Sequence, residues 1–96
     1  MKSKKNISIV VPIFNELEVL PFFLDRLLKA TDKISEYKFD IILINDGSQD
    51  GSLNYIMNQK DKFSNITIVD LSRNFGKEAA LTAGIDVADG DALIPI

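Results

Sequence analysis

The chain has no cysteine and no histidine. The first absence excludes disulfides and thiolate metal sites, and the second excludes imidazole acid–base chemistry and imidazole-held metals. Any metal would need oxygen ligands, which favours Mg2+, Mn2+ or Ca2+. Glycine is sparse, and its five copies form neither G-x-G-x-x-G after the first apolar run nor G-x-x-x-x-G-K-[ST] anywhere. A dinucleotide-binding loop and a P-loop are thereby excluded. Basic charge is in deficit, with 11 Lys and Arg against 14 Asp and Glu and a net charge of -3; a nucleic-acid partner normally needs a basic patch, so none is expected. The apolar run after the basic start is short and meets Pro12 and Asn15, too short for a membrane span and without the cleavage pattern of a signal peptide. Residues 1–6 read as a solvated basic tail.

Two apolar strands each run into a polar cluster. Ile7 to Phe14 is followed by Asn15-Glu16, and Phe39 to Ile44 by Asn45-Asp46-Gly47-Ser48-Gln49-Asp50-Gly51. Nearly continuous apolar runs are the mark of strands covered on both faces. Between them, Leu20, Phe23, Leu24, Leu27 and Leu28 recur at helical spacing from Glu16 to about Thr31, with Pro21 near the start of the regular helix. A second helix, capped by Asp50 or Ser52, is expected to turn Leu53, Ile56, Met57 and Phe63 inward. Ile66 to Leu71 reads as a third strand and Ser72 to Lys77 as a loop. Glu78 to Ala88 is a helix whose Ala80, Ala83 and Gly84 permit close approach to a sheet, and Ala92 to Ile96 is a fourth strand. The order β-α-β-α-β-α-β predicts a three-layer α/β/α domain around a mostly parallel sheet. A bare apolar last strand is an edge that proteins avoid, so the chain is expected to be a piece of a larger domain, able to self-associate through that edge.

Open parallel sheets bind ligands beyond the carboxyl ends of their strands. Both polar clusters lie there. Asn45 to Gly51 is good turn chemistry, and a turn is the plain alternative. An EF-hand loop fails because its twelfth position is Met57 and a strand precedes it. Nucleoside recognition is the third reading: Asp46 could accept from a base N–H, and Gly47 would let the ligand approach the backbone. Arg73 and Lys77 flank a glycine before a helix start, where phosphates are attracted. Their alternative is a solvated loop. A phosphoacceptor receiver domain would want its reactive Asp after the third strand, whereas Asp70 lies within it.

Four pieces in order, Val10 to Glu16, Ile44 to Asp50, Ser72 to Ala80, and Ala83-Gly84 through Gly90-Asp91, resemble the family-2 glycosyltransferases of the GT-A fold over about residues 6 to 96. The Arg73-Asn74-Phe75-Gly76-Lys77-Glu78 run is most similar to the dolichol-phosphate mannosyltransferase and polyprenyl-phosphate glycosyltransferase branch. The resemblance implies that residues 7–96 are the Rossmann-like, nucleotide-sugar-binding half of an inverting transferase. The donor would be a UDP- or GDP-sugar and the acceptor a polyprenyl phosphate or another lipid-linked or glycan group, at the cytoplasmic face of a membrane. It assigns Pro12, Asn15, Glu16, Asp46, Ser48, Arg73, Lys77 and Asp91 to nucleotide binding. The family's Asp-x-Asp motif for Mg2+ or Mn2+ is expected just beyond Ile96, so no catalytic or metal residue is assigned here. Where the family often has Asp-Asp-Gly-Ser, this chain has Asn45 before Asp46. A non-catalytic, flavodoxin-like nucleotide-binding module is the alternative.

Overall fold

The computed structural model describes residues 4–96, so residues 1–3 of the expected tail lie outside the described residues. Seven elements follow in the expected order: β1 (Lys5–Ile13), α1 (Leu20–Asp32), β2 (Tyr37–Asp46), α2 (Ser52–Lys62), β3 (Ile66–Leu71), α3 (Lys77–Val87) and β4 (Ala92–Pro95). β1 takes in Lys5 and Asn6, which the sequence placed in the tail. Their backbones pair with Tyr37 and Lys38 at the start of β2, which makes strand of residues with no apolar pattern.

The four strands form one all-parallel sheet in the order β3-β2-β1-β4. The chain steps outward from β1 to β3, then crosses back to place β4 on the other side of β1. With crossovers of one hand, that reversal puts α3 on the opposite face from α1 and α2. The side chains obey it. Ile9, Val11, Ile13, Ile41 and Leu43 point to one face, where they pack with Leu20 and Leu24 of α1 and Ile56 of α2. Val10, Ile42 and Ile44 point to the other, against Ala80 of α3. Period-two alternation with apolar residues on both faces is why these strands read as continuous apolar runs.

α1 begins one residue before Pro21, where the missing proline N–H costs no helical bond. Its Leu20 and Leu24 are fully buried, with Phe23, Leu27 and Leu28 packed at the margin. α2 departs from the expectation. Met57 is 51% and Phe63 37% exposed, and Leu53, Tyr55 and Ile56 form the inward side instead. Phe63 has extended backbone and ends the helix, so it leaves the helical face on which its spacing placed it. All four residues of β4 are exposed, as the open apolar edge requires.

α3 is held unusually close to the sheet. A Cβ at Gly84 would lie 2.4 Å from Val10 Cγ1 and 2.6 Å from Ile44 Cδ1. Both are β-branched side chains inside the buried layer, with no room to retreat. Gly84→Ala should therefore destabilise the fold by about 1–3 kcal/mol despite the better helix propensity of alanine. A lowered urea midpoint checks this; an unchanged or raised midpoint would show that the two layers can separate freely.

Candidate functional site

The register of β1 on β2 pairs Ile13 with Asn45, so the two strands end side by side and their following loops touch. Asn15 has φ 49°, a left-handed conformation that asparagine tolerates better than most residues. Its N–H donates to Ser48 Oγ at 2.9 Å, and its own side-chain Oδ1 accepts from the N–H of Gln49 at 2.7 Å. Further on, the Glu16 N–H reaches Ser52 Oγ at 3.3 Å and the Leu17 N–H reaches Asp50 Oδ2 at 3.2 Å. The other oxygen of Asp50 accepts from the N–H of Ser52 at 2.9 Å, satisfying an otherwise free donor of the first turn of α2. The Ser52 hydroxyl is the largest cause holding the Asp50 carboxyl below its ordinary 3.8; partial desolvation opposes it, and the Ser52 and Leu17 N–H groups reinforce it. The Glu16 backbone is thus fixed while its side chain stays exposed.

The third loop, after β3, is tied to the same edge through Asp46. This residue is 3% exposed. Its Oδ1 accepts from the N–H of Phe75 at 2.8 Å and its Oδ2 from the N–H of Gly76 at 3.1 Å. Gly76, at φ 97°, shares its N–H with Asn74 Oδ1 at 2.9 Å. The other side of the loop presses on Gly47, where a Cβ would stand 2.3 Å from the backbone N of Asn74. Gly47 has φ 72°, so glycine is demanded both by conformation and by contact. The loop carries Arg73, whose guanidinium lies over the Phe75 ring at 4.8 Å, and it delivers Lys77 to the start of α3.

A cleft of about 200 Å³ results, lined by Pro12, Ile13, Phe14, Glu16, Asp46, Asn74, Gly76 and Lys77. A larger groove of about 460 Å³ adjoins it, with Asn45, Ser48, Gln49, Asp70 and Arg73 on its walls. A still larger cavity, about 660 Å³ among the described residues, lies at the other end of the sheet, beside Lys4, Thr31, Tyr37 and Phe63. It holds none of the polar clusters that end the strands, so chemistry rather than volume locates the candidate site.

Six expected residues, Pro12, Asn15, Glu16, Asp46, Ser48 and Lys77, meet at this edge, and Arg73 stands at its rim. Asp91 does not. It precedes β4, and in a parallel sheet the residue before a strand lies at the amino edge. There its Oδ2 accepts from the N–H of Asn6 at 2.8 Å, and its own N–H donates to the Asn6 carbonyl at 2.8 Å. Gly47 also has a different task from the expected one, since the backbone that approaches it belongs to this chain. Sequence reasoning missed Asp50 and Ser52 as clamps between the loops, and Asn74 as a wall of the cleft. It also missed a pair made by the buried Asn45 and the exposed Asp70: Asn45 Nδ2 donates to Asp70 Oδ1 at 2.9 Å across the β2–β3 register. Each stands one residue before the end of its strand, and that is the one signal that could have joined them. Among the described residues no three carboxylates gather to hold a metal. The described residues thus offer no such cluster to a divalent cation, and no chemical step here is routed through one.

The sequence model "Glycosyl transferase family 2" matches residues 8–96. The "Prophage bactoprenol glucosyl transferase homolog" of Escherichia coli K12 is 42% identical over 90 residues, covering 94% of this chain and 29% of that protein. Among solved structures, the mannosyltransferase PcManGT from Pyrobaculum calidifontis, in complex with GDP-Man and Mn2+, superposes with a TM-score of 0.79 at 19% identity over 95% of this chain and 26% of its own. S. aureus TarS 1-349 in complex with UDP gives 0.81 at 21% identity, over 95% and 26%. At such identities these two likenesses concern the fold. The chain spans between a quarter and a third of the length of the relatives it matches.

Two outcomes follow from the loop contacts. A carboxylate held below its ordinary value contributes stability in full above that value, and loses it as pH falls through the lower folded-state value. Asp50→Asn should therefore lower the urea midpoint at neutral pH, and the gap from the native protein should close below about pH 4. A gap that does not change with pH would show that the charge of Asp50 is immaterial. Asn45→Asp places a second carboxylate against Asp70 and should cost about 1–3 kcal/mol near neutral pH. Adding Asp70→Asn should restore most of that loss in the same denaturation measurement. Equal stability of the single and double variants would rule out repulsion between the two sites.

Proposed function

The chain belongs to glycosyl transferase family 2, and from that premise we propose that it forms the donor-gripping part of a polyprenyl-phosphate glycosyltransferase. The observation that carries this reading is the convergence of Pro12, Glu16, Asp46, Asn74, Gly76 and Lys77 in one cleft at the carboxyl edge of the sheet. The first loop supplies an apolar wall and an acidic side chain on a fixed backbone, suited to a nucleoside. The third loop supplies Arg73 and Lys77 beside a helix start, suited to a diphosphate. A UDP- or GDP-sugar presents both groups.

In the whole protein, an oxygen of the acceptor phosphate would attack the anomeric carbon as the bond to the nucleoside diphosphate breaks on the opposite face, inverting that centre. The name of one relative, a bactoprenol glucosyl transferase homolog, supports a polyprenyl phosphate as the receiving group, and the reading includes a reaction at the cytoplasmic face of a membrane, where a nucleotide-sugar donor would meet a lipid-borne acceptor. Mg2+ or Mn2+ would neutralise the donor diphosphate, held by residues other than those described.

Titration with UDP and with GDP tests the reading. At least one should shift the amide resonances of residues 12–16, 46–48 and 73–77, with weak affinity. Arg73→Ala and Lys77→Ala should each weaken that binding by about tenfold. Amide shifts that avoid all three loops, or none at about millimolar nucleotide, would overturn the donor-site assignment.

A further inference from the structure

Asp46 combines features that do not fit a residue serving only as a hydrogen-bond acceptor for a nucleoside. It is almost completely buried, and each of its oxygens already accepts a backbone N–H from the third loop. The contacts are successive: Phe75 on one oxygen, Gly76 on the other. A carboxylate holding two adjacent N–H groups fixes the direction of that peptide segment. The Phe75 ring projects from the fixed segment, and the Arg73 guanidinium rests over it at 4.8 Å. Gly47 closes the clamp from the far side, since any Cβ there would strike the backbone of Arg73 and Asn74. One physical chain therefore runs from the Asp46 carboxylate through the Phe75 backbone and ring to the Arg73 charge.

We propose that Asp46 is a positioning residue for the diphosphate: it sets Arg73, by way of Phe75, where a nucleoside diphosphate places its phosphates. This inference rests on the donor-site reading given above and adds a role to it. Holding a long cation in place before the ligand arrives spares the ordering of a flexible side chain on binding. Asp46 acts here against its own charge. By Coulomb's law alone, removing a carboxylate from a cleft that receives an anion should tighten binding. The positioning role predicts the reverse.

A double-variant cycle on the affinity for UDP or GDP, whichever the native chain binds, tests this by amide-resonance titration. Asp46→Asn keeps the shape of the side chain but presents an NH2 group to one of the two N–H donors. It should weaken nucleotide binding by about threefold or more in the native background, and by less than about twofold when Arg73→Ala is already present. It should also speed amide-proton exchange at Phe75. Losses that multiply in the double variant would show that Asp46 acts independently of Arg73, and tighter binding by Asp46→Asn would show that charge alone matters; either overturns the inference. If Asp46→Asn fails to fold, Phe75→Leu, which keeps both backbone hydrogen bonds, decides by the same cycle. Failure of the native chain to bind either nucleotide overturns the donor-site reading as well, whereas binding with multiplicative losses overturns the positioning role alone.

Discussion

Side-by-side parallel pairing of β1 with β2 is the constraint on which everything at the carboxyl edge depends. Nine residues of β1 match nine of β2 without a bulge. In a parallel pair both chains leave the sheet at the same end, so the two loops that follow must share one small space. A slip of one residue would exchange the faces of all the alternating side chains and separate Asn15 from Ser48. The apolar alternation that builds the two core layers is thus also what aligns the polar edge.

Given that alignment, most polar atoms of the motifs serve the chain itself. Asn15, Ser48, Asp50, Ser52 and Asp46 each make hydrogen bonds to backbone N–H groups of a neighbouring loop. No buried polar side-chain atom among the described residues lacks a partner. The left-handed conformation of Asn15 is local strain, and the two bonds to the second loop offset it. Exposed groups held on this rigid frame, Glu16, Arg73 and Lys77, are the ones that the proposed donor site leaves to meet a ligand. Residues proposed to grip a donor and residues that build the edge are interleaved in the same motifs, sometimes one position apart.

The fold was legible because its signals are periodic. Runs of apolar residues, helical spacing around Leu20 to Leu28 and small residues in α3 all depend on neighbours in sequence. The edge of the sheet was legible too, as a place. What each edge residue does was less so, because it depends on partners distant in the chain. Asp46 meets Phe75 and Gly76 across 29 and 30 positions, and nothing local to Asn45-Asp46-Gly47 announces them. Asp91 shows the converse. It sits in a motif as good as the others, yet strand direction sends it to the opposite pole. Met57 and Phe63 fit a helical stripe, but α2 lies at the flank of a sheet only four strands wide, which cannot cover the whole stripe.

The missing side chain at position 84 reaches further than the layer it thins. α3 is a rigid rod, and Lys77 stands seven residues before Gly84, about 10 Å along the axis. A rod seated on Val10 and Ile44 at Gly84, three residues before its end, pivots there. Thickening the seat would tilt both ends, lifting the positive start of the helix off the rim of the cleft. The glycine is in this sense the fulcrum of a lever, and the height at which the sheet carries the rod sets the reach of a charge about two helical turns away.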